Sequence, residues 1–144
     1  TIRIGVLGSQ RDRQTLHTEV LDMRERMRKE LDKSKNGQFD LKQGQGGIVD
    51  IEFMVQYGVL AYAHDFPELR TWTDNIRLLM VMAANGVMSA QQAEALTEAY
   101  KCYRGRLHRL KLDEQPGRVP EEEYAEQRET VIRIWNDWML AEQA

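Results

Sequence analysis

The residues with the clearest potential for chemistry lie in one short segment, DLKQGQGGIVDIEF, at positions 40–53. The segment combines one lysine, a glycine turn and two carboxylates: Lys42, Gly44, Gly46, Gly47, Asp50 and Glu52. The amide hydrogens that open a helix, with a lysine beside them, are suited to a phosphate or a carboxylate. The alternative is a tight turn that lets the backbone pass close to a neighbouring helix. A Walker loop is excluded, because no Gly-Lys-Ser/Thr sequence follows the glycines.

The two carboxylates of this segment are not placed to act together. Asp50 and Glu52 are two positions apart, which separates them by about 200° around a helix axis, so they cannot chelate one metal ion. Asp50 falls in the first turn of the predicted helix, where a negative charge is favourable. Glu52 lies on a helix predicted to be buried and therefore needs a cationic partner. The candidates are Arg24, Arg28 and Arg77, and the alternative role for Glu52 is at the edge of an active site.

Other potential ligands are dispersed along the chain. His17, His64 and His108 share no metal-ligand spacing, so we expect them to be solvated or to cap helices. Cys102 is the only cysteine. An intrachain disulfide and a cysteine-based zinc site are therefore excluded.

A run of cations near the end of the predicted fourth helix is the remaining charged feature: Lys101, Arg104, Arg106, His108, Arg109 and Lys111. Positive charge there complements the helix dipole and aids solubility. The alternative is a docking surface for a partner.

Composition narrows the class of protein further. The chain has 144 residues, 42% of them apolar and 30% charged, as in a soluble globular domain. A net charge of −3 argues against a nucleic-acid ligand. The longest apolar stretch, within residues 53–63, is interrupted by Gln56 and is too short to cross a membrane. The first residues, TIRIGVLGSQ, lack the features of a signal peptide, so we expect a cytoplasmic protein.

Hydrophobic periodicity predicts an all-α fold, a single bundle of about five helices. Residues 1–13 are poorly determined by the pattern. A first helix over 14–33 should bury one apolar stripe: Leu16, Val20, Met23, Met27 and Leu31. A second helix, near 47–64, is apolar on most faces and should lie at the centre of the bundle.

The later helices are predicted from their capping residues. Thr73 or Asp74 should cap the third helix, which ends at Asn85-Gly86 and faces the core through a second set of residues: Ile76, Leu79, Met80 and Ala83. Ser89 should cap a fourth helix over 89–111. Pro120 should open a fifth helix, with three glutamates in its first turn and Ile132, Trp135, Trp138, Met139 and Leu140 closing the core.

Three stretches, FDLKQGQGGIVDIEFMVQY, AYAHDFPELRTWTDNIRLL and ALTEAYKCYRGRLHRL, resemble the glutamine synthetase adenylyltransferase family. The resemblance implies a protein with two nucleotidyltransferase units, each a catalytic α/β head followed by a helical domain. One unit transfers AMP from ATP to a tyrosine of glutamine synthetase, and the other removes it. Both respond to the PII signalling protein and to glutamine.

The resemblance implies that residues 14–144 form the helical domain that follows the C-terminal head. The sequence LGSQRD shows the Gly-Ser of such a head but no Asp-x-Asp downstream, so we expect the head to be absent and no catalytic residue in this chain. ATP and Mg²⁺ would be bound mainly by the head. Asp50 in VDIEF favours the adenylylating unit, since the deadenylylating unit has Arg-Glu-Ile-Glu-Phe.

The resemblance also gives the corner a role. Lys42 would lie near the nucleotide phosphates, Gly46 and Gly47 would face the head, and Asp50 and Glu52 would anchor the junction between domains. The implied partners are glutamine synthetase, PII and the protein's own head, with no nucleic acid or membrane. The alternatives are a helical module that binds a regulator without chemistry and the equivalent domain of a PII uridylyltransferase.

Overall fold

Helices build most of the part of the chain that the structure, a computed structural model, describes: residues 10–63, 65–66, 69 and 74–140. The helices are α1 (Gln10–Leu31), α2 (Ile48–Tyr62), α3 (Asn75–Ala84), α4 (Ala90–Leu112) and α5 (Ala125–Trp135), followed by a π-helical turn (Asn136–Leu140). Two short strands, β1 (Gln38–Asp40) and β2 (Arg118–Pro120), pair antiparallel. The predicted all-α bundle of five helices is confirmed, with this small ribbon added.

The second helix is the central one, as predicted. α2 packs against α1, α3, α4 and α5. Its buried residues occur on nearly all sides: Ile48, Val49, Asp50, Ile51, Met54, Val55, Tyr57, Gly58 and Ala61. A helix with neighbours all around must be apolar all around, which is the pattern that the sequence shows.

The predicted capping residues of α3 and α4 are in place. The Asp74 carboxylate accepts a hydrogen bond from the Ile76 amide at 2.9 Å, while Thr73 lies outside the described residues. Ser89 and Gln92 form a reciprocal capping box at the start of α4. α3 ends at Asn85, and Gly86 follows with a φ of +74°, a conformation that favours glycine.

The predicted apolar stripe of α1 is buried only in part: Leu16 and Val20 pack against the core from partly buried positions. Met23 and Leu31 are 55% and 43% exposed, whereas His17 and Arg24 are 2% and 1% exposed. His17 and Arg24 are seven residues apart and therefore lie on the same face of the helix. They are buried because both find polar partners inside the molecule, which apolar periodicity cannot reveal.

Part of the predicted stripe of α1 also borders an open groove. Leu16, Val20 and Met23 line this groove together with Phe53 and Leu60 of α2. The first helix also begins four residues earlier than predicted and ends two residues earlier.

The core face of α3 differs from the prediction as well. Leu79 is buried as predicted, and the predicted Ile76 and Ala83 pack against the core from partly buried positions. Met80, however, is 57% exposed, and Leu78, Val81 and Met82 are buried instead. The reason is that α3 packs against both α2 and α4, which turns its buried face between the two.

The fifth helix begins at Ala125, five residues after the predicted start at Pro120. Pro120 is the last residue of β2, and the following amide, of Glu121, donates to the Gly37 carbonyl at 2.9 Å. The pairing of β2 with β1 therefore holds this segment extended. Two of the residues predicted to close the core, Trp138 and Met139, are 7% and 0% exposed.

Candidate functional site

The glycine corner, residues 42–47, uses its own backbone groups to fold. The amides of Ile48 and Val49 donate to the carbonyls of Leu41 and Lys42 at 2.9 and 3.0 Å, and the Gly47 amide donates to a carbonyl within the turn at 2.9 Å. The prediction that the amides at the start of α2 are available to an anion is therefore wrong for these three groups. Their hydrogen-bonding capacity is already used.

The tight-turn interpretation of the glycines is confirmed. Gly46 has a φ of +82°, and a Cβ atom there would lie 2.9 Å from the Arg128 carbonyl oxygen of α5. A Cβ atom at Gly47 would lie 2.7 Å from the Leu41 carbonyl oxygen. Glycine is required at these positions because any side chain would push the corner away from α5 or from itself.

Asp50 is the centre of a buried ion-pair network. Its Oδ1 atom accepts hydrogen bonds from Arg24 Nε at 2.5 Å and Arg28 Nη2 at 3.0 Å, and its Oδ2 atom accepts one from the Gly46 amide at 2.7 Å. Arg24 also donates to Oε1 of the Gln43 side chain at 3.0 Å and to the Gln43 backbone carbonyl at 2.8 Å. The network joins α1, the corner and α2. A buried carboxylate with these partners is satisfied rather than available.

The carboxylate that pairs with the arginines of α1 is thus Asp50 and not Glu52. Glu52 is half-buried and accepts a hydrogen bond of 3.4 Å from the Tyr100 hydroxyl. The correction has a geometric cause: the two acids diverge around α2, so Asp50 faces Arg24 and Arg28 while Glu52 faces α4.

Asp40 is a structural carboxylate that the sequence reasoning missed. It is 8% exposed, and its oxygens accept hydrogen bonds from the amides of Lys33, Lys42 and Gln43 at 2.9–3.0 Å. An aspartate whose carboxylate accepts hydrogen bonds from the amides two and three residues ahead forms an Asx-turn. The sequence Asp-Leu-Lys-Gln could have indicated this turn. Asp40 therefore fixes the backbone on which Lys42 stands.

Lys42 is exposed and faces α4. It borders a cavity of about 250 Å³ whose lining combines the corner, α2 and α4: Lys42, Ile48, Glu52, Arg104, Leu107, His108 and Lys111. Asp50 lines a different cavity, between α1 and α5. The structure thus brings Lys42 and Glu52 together and places Asp50 on the opposite side of α2.

Tyr100 bonds to two residues that line the cavity bordered by Lys42, namely Glu52 and Arg104. Its hydroxyl accepts hydrogen bonds from Arg104 Nη1 and Asn75 Nδ2, both at 3.1 Å, and donates to Glu52. The Arg104 guanidinium also lies over the Tyr100 ring, 5.5 Å from its centroid. Tyr100 is 5% exposed, so these contacts tie the charged groups to the core.

The prediction of a solvated or capping role is wrong for His17. Its Nε2 atom bonds to the Met139 carbonyl, and its ring meets the edge of Tyr57 with the centroids 5.2 Å apart. His108 is exposed, as is Cys102, and His64 lies outside the described residues. Within the described ranges, no group of three or more His, Cys, Asp or Glu residues is placed to hold a metal ion.

No helix in the described part of the chain is long and apolar enough to span a membrane.

These features define a helical domain with a buried ion-pair junction on one side of its central helix and a basic cavity on the other. A family model described as GlnD PII-uridylyltransferase matches residues 14–135. Because the match spans most of the chain, the chain belongs to the GlnD PII-uridylyltransferase family. The predicted class, a nucleotidyltransferase, is confirmed at this level, and the family is the one given as the alternative to glutamine synthetase adenylyltransferase.

Proposed function

We propose that this chain is the helical part of a nucleotidyltransferase that modifies a protein in PII-linked regulation of nitrogen assimilation. The observation that carries the proposal is the family match over residues 14–135. In this proposal a catalytic head performs the transfer. The helical domain supports the head and positions the protein substrate.

The charged residues suit support rather than bond making. The described residues do not fit a Mg²⁺ site, because the Asp50 oxygens are taken by Arg24, Arg28 and the Gly46 amide, and Glu52 faces α4 instead. We therefore assign the nucleotide and Mg²⁺ to the head. Asp50 would keep α1, the corner and α2 in one arrangement against the head.

The corner would then be the surface that meets the head. Gly46 and Gly47 fix its shape against α5 and Leu41, and Asp40 fixes its backbone. Lys42 and Glu52 lie on the exposed side, where Lys42 would place positive charge towards the nucleotide phosphates. Neither residue is assigned a bond-making role.

Uridylyl transfer to PII is the first candidate reaction, and the family match favours it. Transfer of AMP from ATP to a tyrosine of glutamine synthetase is the second. The segment GGIVDIEF favours the second, because its aspartate resembles the adenylylating unit of that family. PII is a partner in both, as the modified protein in one and as a regulator in the other.

The test is a transfer assay on the full-length protein with radiolabelled UTP or ATP, each with PII or glutamine synthetase. We expect label on PII from UTP for the first candidate, or on glutamine synthetase from ATP for the second. The 144-residue chain alone should transfer neither UMP nor AMP. Labelling by the chain alone would contradict the division of roles, and no labelling by the full-length protein would contradict the proposed function.

A further inference from the structure

The surface between the corner and the second half of α4 concentrates positive charge around a concavity. We propose that this basic cavity, lined by Lys42, Glu52, Arg104, His108 and Lys111 together with two apolar residues, binds a phosphate-bearing anion. The inference deepens the proposed function and rests on it at one point, the direction of Lys42 towards phosphates; it adds that the helical domain by itself holds the phosphate site.

Charge is the first observation. Two lysines, an arginine and a histidine line the cavity against a single carboxylate, that of Glu52. The chain as a whole has a net charge of −3, so this local excess of cations runs against the average. A concave surface with like charges on its walls concentrates ions of the opposite sign.

The basic residues come from two elements that are fixed relative to each other. Arg104, His108 and Lys111 are spaced by four and three residues, which aligns them along one face of α4 over about 10 Å. Lys42 approaches from the corner. Its amide donates to Asp40 at 2.9 Å and its carbonyl accepts from Val49 at 3.0 Å, so its backbone is held.

Arg104 is oriented before any ligand arrives. Its Nη1 atom donates to the Tyr100 hydroxyl, and its guanidinium lies over the Tyr100 ring. Its other guanidinium N–H groups have no partner among the described residues and can donate to a ligand in the fork geometry that suits phosphate oxygens. A guanidinium held in this way loses less conformational entropy on binding than an unrestrained one.

The size of the cavity sets the ligand class. About 250 Å³ is below the range of roughly 300–1,000 Å³ typical of sites that enclose a drug-sized molecule. A short phosphate chain fits this space, whereas a complete nucleotide would have to leave its base outside. The shared chemistry is therefore a phosphate chain, either as inorganic polyphosphate or as the tail of a nucleotide.

Isothermal titration calorimetry on the 144-residue chain tests the site with three probes: pyrophosphate, tripolyphosphate and ATP. We expect tripolyphosphate to bind, and Lys42→Ala and Lys111→Gln each to weaken its Kd about three- to tenfold by removing one charge-assisted contact. Lys29→Ala is the matched control, since Lys29 is an exposed lysine on α1 that does not line the cavity. Circular dichroism should show that all variants are folded.

The outcomes separate the ligand sources. Equal affinity for ATP and tripolyphosphate would assign the site to the phosphate chain, and tighter binding of ATP would assign it to a nucleotide. Both results support the cavity if Lys42→Ala weakens binding. Absence of binding by all three probes, or equal weakening by Lys29→Ala, would overturn the inference. Neither of these results would change the outcome of the transfer assay on the full-length protein. Failure of the phosphate-site inference can therefore be distinguished from failure of the proposed function.

Discussion

At the scale of single residues, the two carboxylates of α2 differ in what their loss should cost. Asp50→Asn removes the carboxylate that pairs with Arg24, which is 1% exposed, and leaves Arg28 only its ion pair with the exposed Glu25. Breaking a buried ion pair by removing one partner costs about 3–5 kcal/mol of stability. We expect a loss of that size for Asp50→Asn in urea denaturation.

Glu52→Gln is the matched control for the Asp50 substitution. Glu52 is half-buried and makes one long hydrogen bond to Tyr100, so we expect it to contribute under about 1 kcal/mol. Similar losses for the two variants would show that the buried network around Asp50 is not what joins α1 to the corner.

Tyr103 offers a second residue-scale prediction. It is fully buried, and its hydroxyl has no hydrogen-bond partner among the described residues. Burial is the main cause that raises the pKa of Tyr103 above its ordinary value of 10.0. Because a buried polar group without a partner is destabilising, Tyr103→Phe should be as stable as the parent at pH 7, or more stable by about 1 kcal/mol.

The pH dependence of the Tyr103 effect has a definite sign. Since the pKa is raised in the folded state, Tyr103 makes the free energy of unfolding independent of pH below 10 and lowers it as the pH rises above 10, where the unfolded chain ionises first. Raising the pH from 9 to 11 should therefore lower the free energy of unfolding of the parent more than that of Tyr103→Phe, as measured by urea denaturation. Parallel loss in both proteins would contradict this origin.

At the scale of elements, the sequence predicted what local chemistry controls. The ends of α3 and α4 follow from Asp74, Ser89 and Gly86, each of which acts on neighbouring backbone groups. The central place of α2 follows from apolar residues on most of its faces, and the role of Gly46 follows from the conformational freedom of glycine.

The elements that were predicted wrongly depend on partners distant in sequence. The buried face of α1 is chosen by Asp50, which lies 26 residues after Arg24, so a pattern of apolar residues favoured the other face. The start of α5 is delayed because β2 pairs with a strand about eighty residues earlier in the chain. The sequence signals for a helix start are local and therefore do not take a strand pairing over this distance into account.

The candidate site likewise combines features set by the local sequence with contacts between residues distant in sequence. The corner, Lys42 and the basic run of α4 were each visible in the sequence, but their meeting around one cavity depends on how α4 packs against α2. The partner of Glu52 was missed for the same reason. Its contact with Tyr100 of α4 spans 48 positions.

At the scale of the whole molecule, one core connects all five helices of the described chain. α2 packs against each of the other four helices, and the buried side chains of every element from β1 to the π-helical turn join a single cluster. Elements that share one core lose their packing together. This arrangement leaves little reason for part of the domain to unfold before the rest.

The final prediction is that the chain unfolds in urea as one cooperative unit and needs no metal ion for its stability. Trp138 reports on the C-terminal packing, because it is 7% exposed and its indole N–H donates to the Val87 carbonyl at 3.1 Å. In a Trp72→Phe/Trp135→Phe variant, which leaves Trp138 as the fluorophore, the midpoint from fluorescence should therefore coincide with the midpoint from helical circular dichroism, and EDTA should move neither. A fluorescence transition at lower urea would show that the π-helical turn separates from the bundle first. A shift caused by EDTA would show that a bound metal ion contributes to the fold.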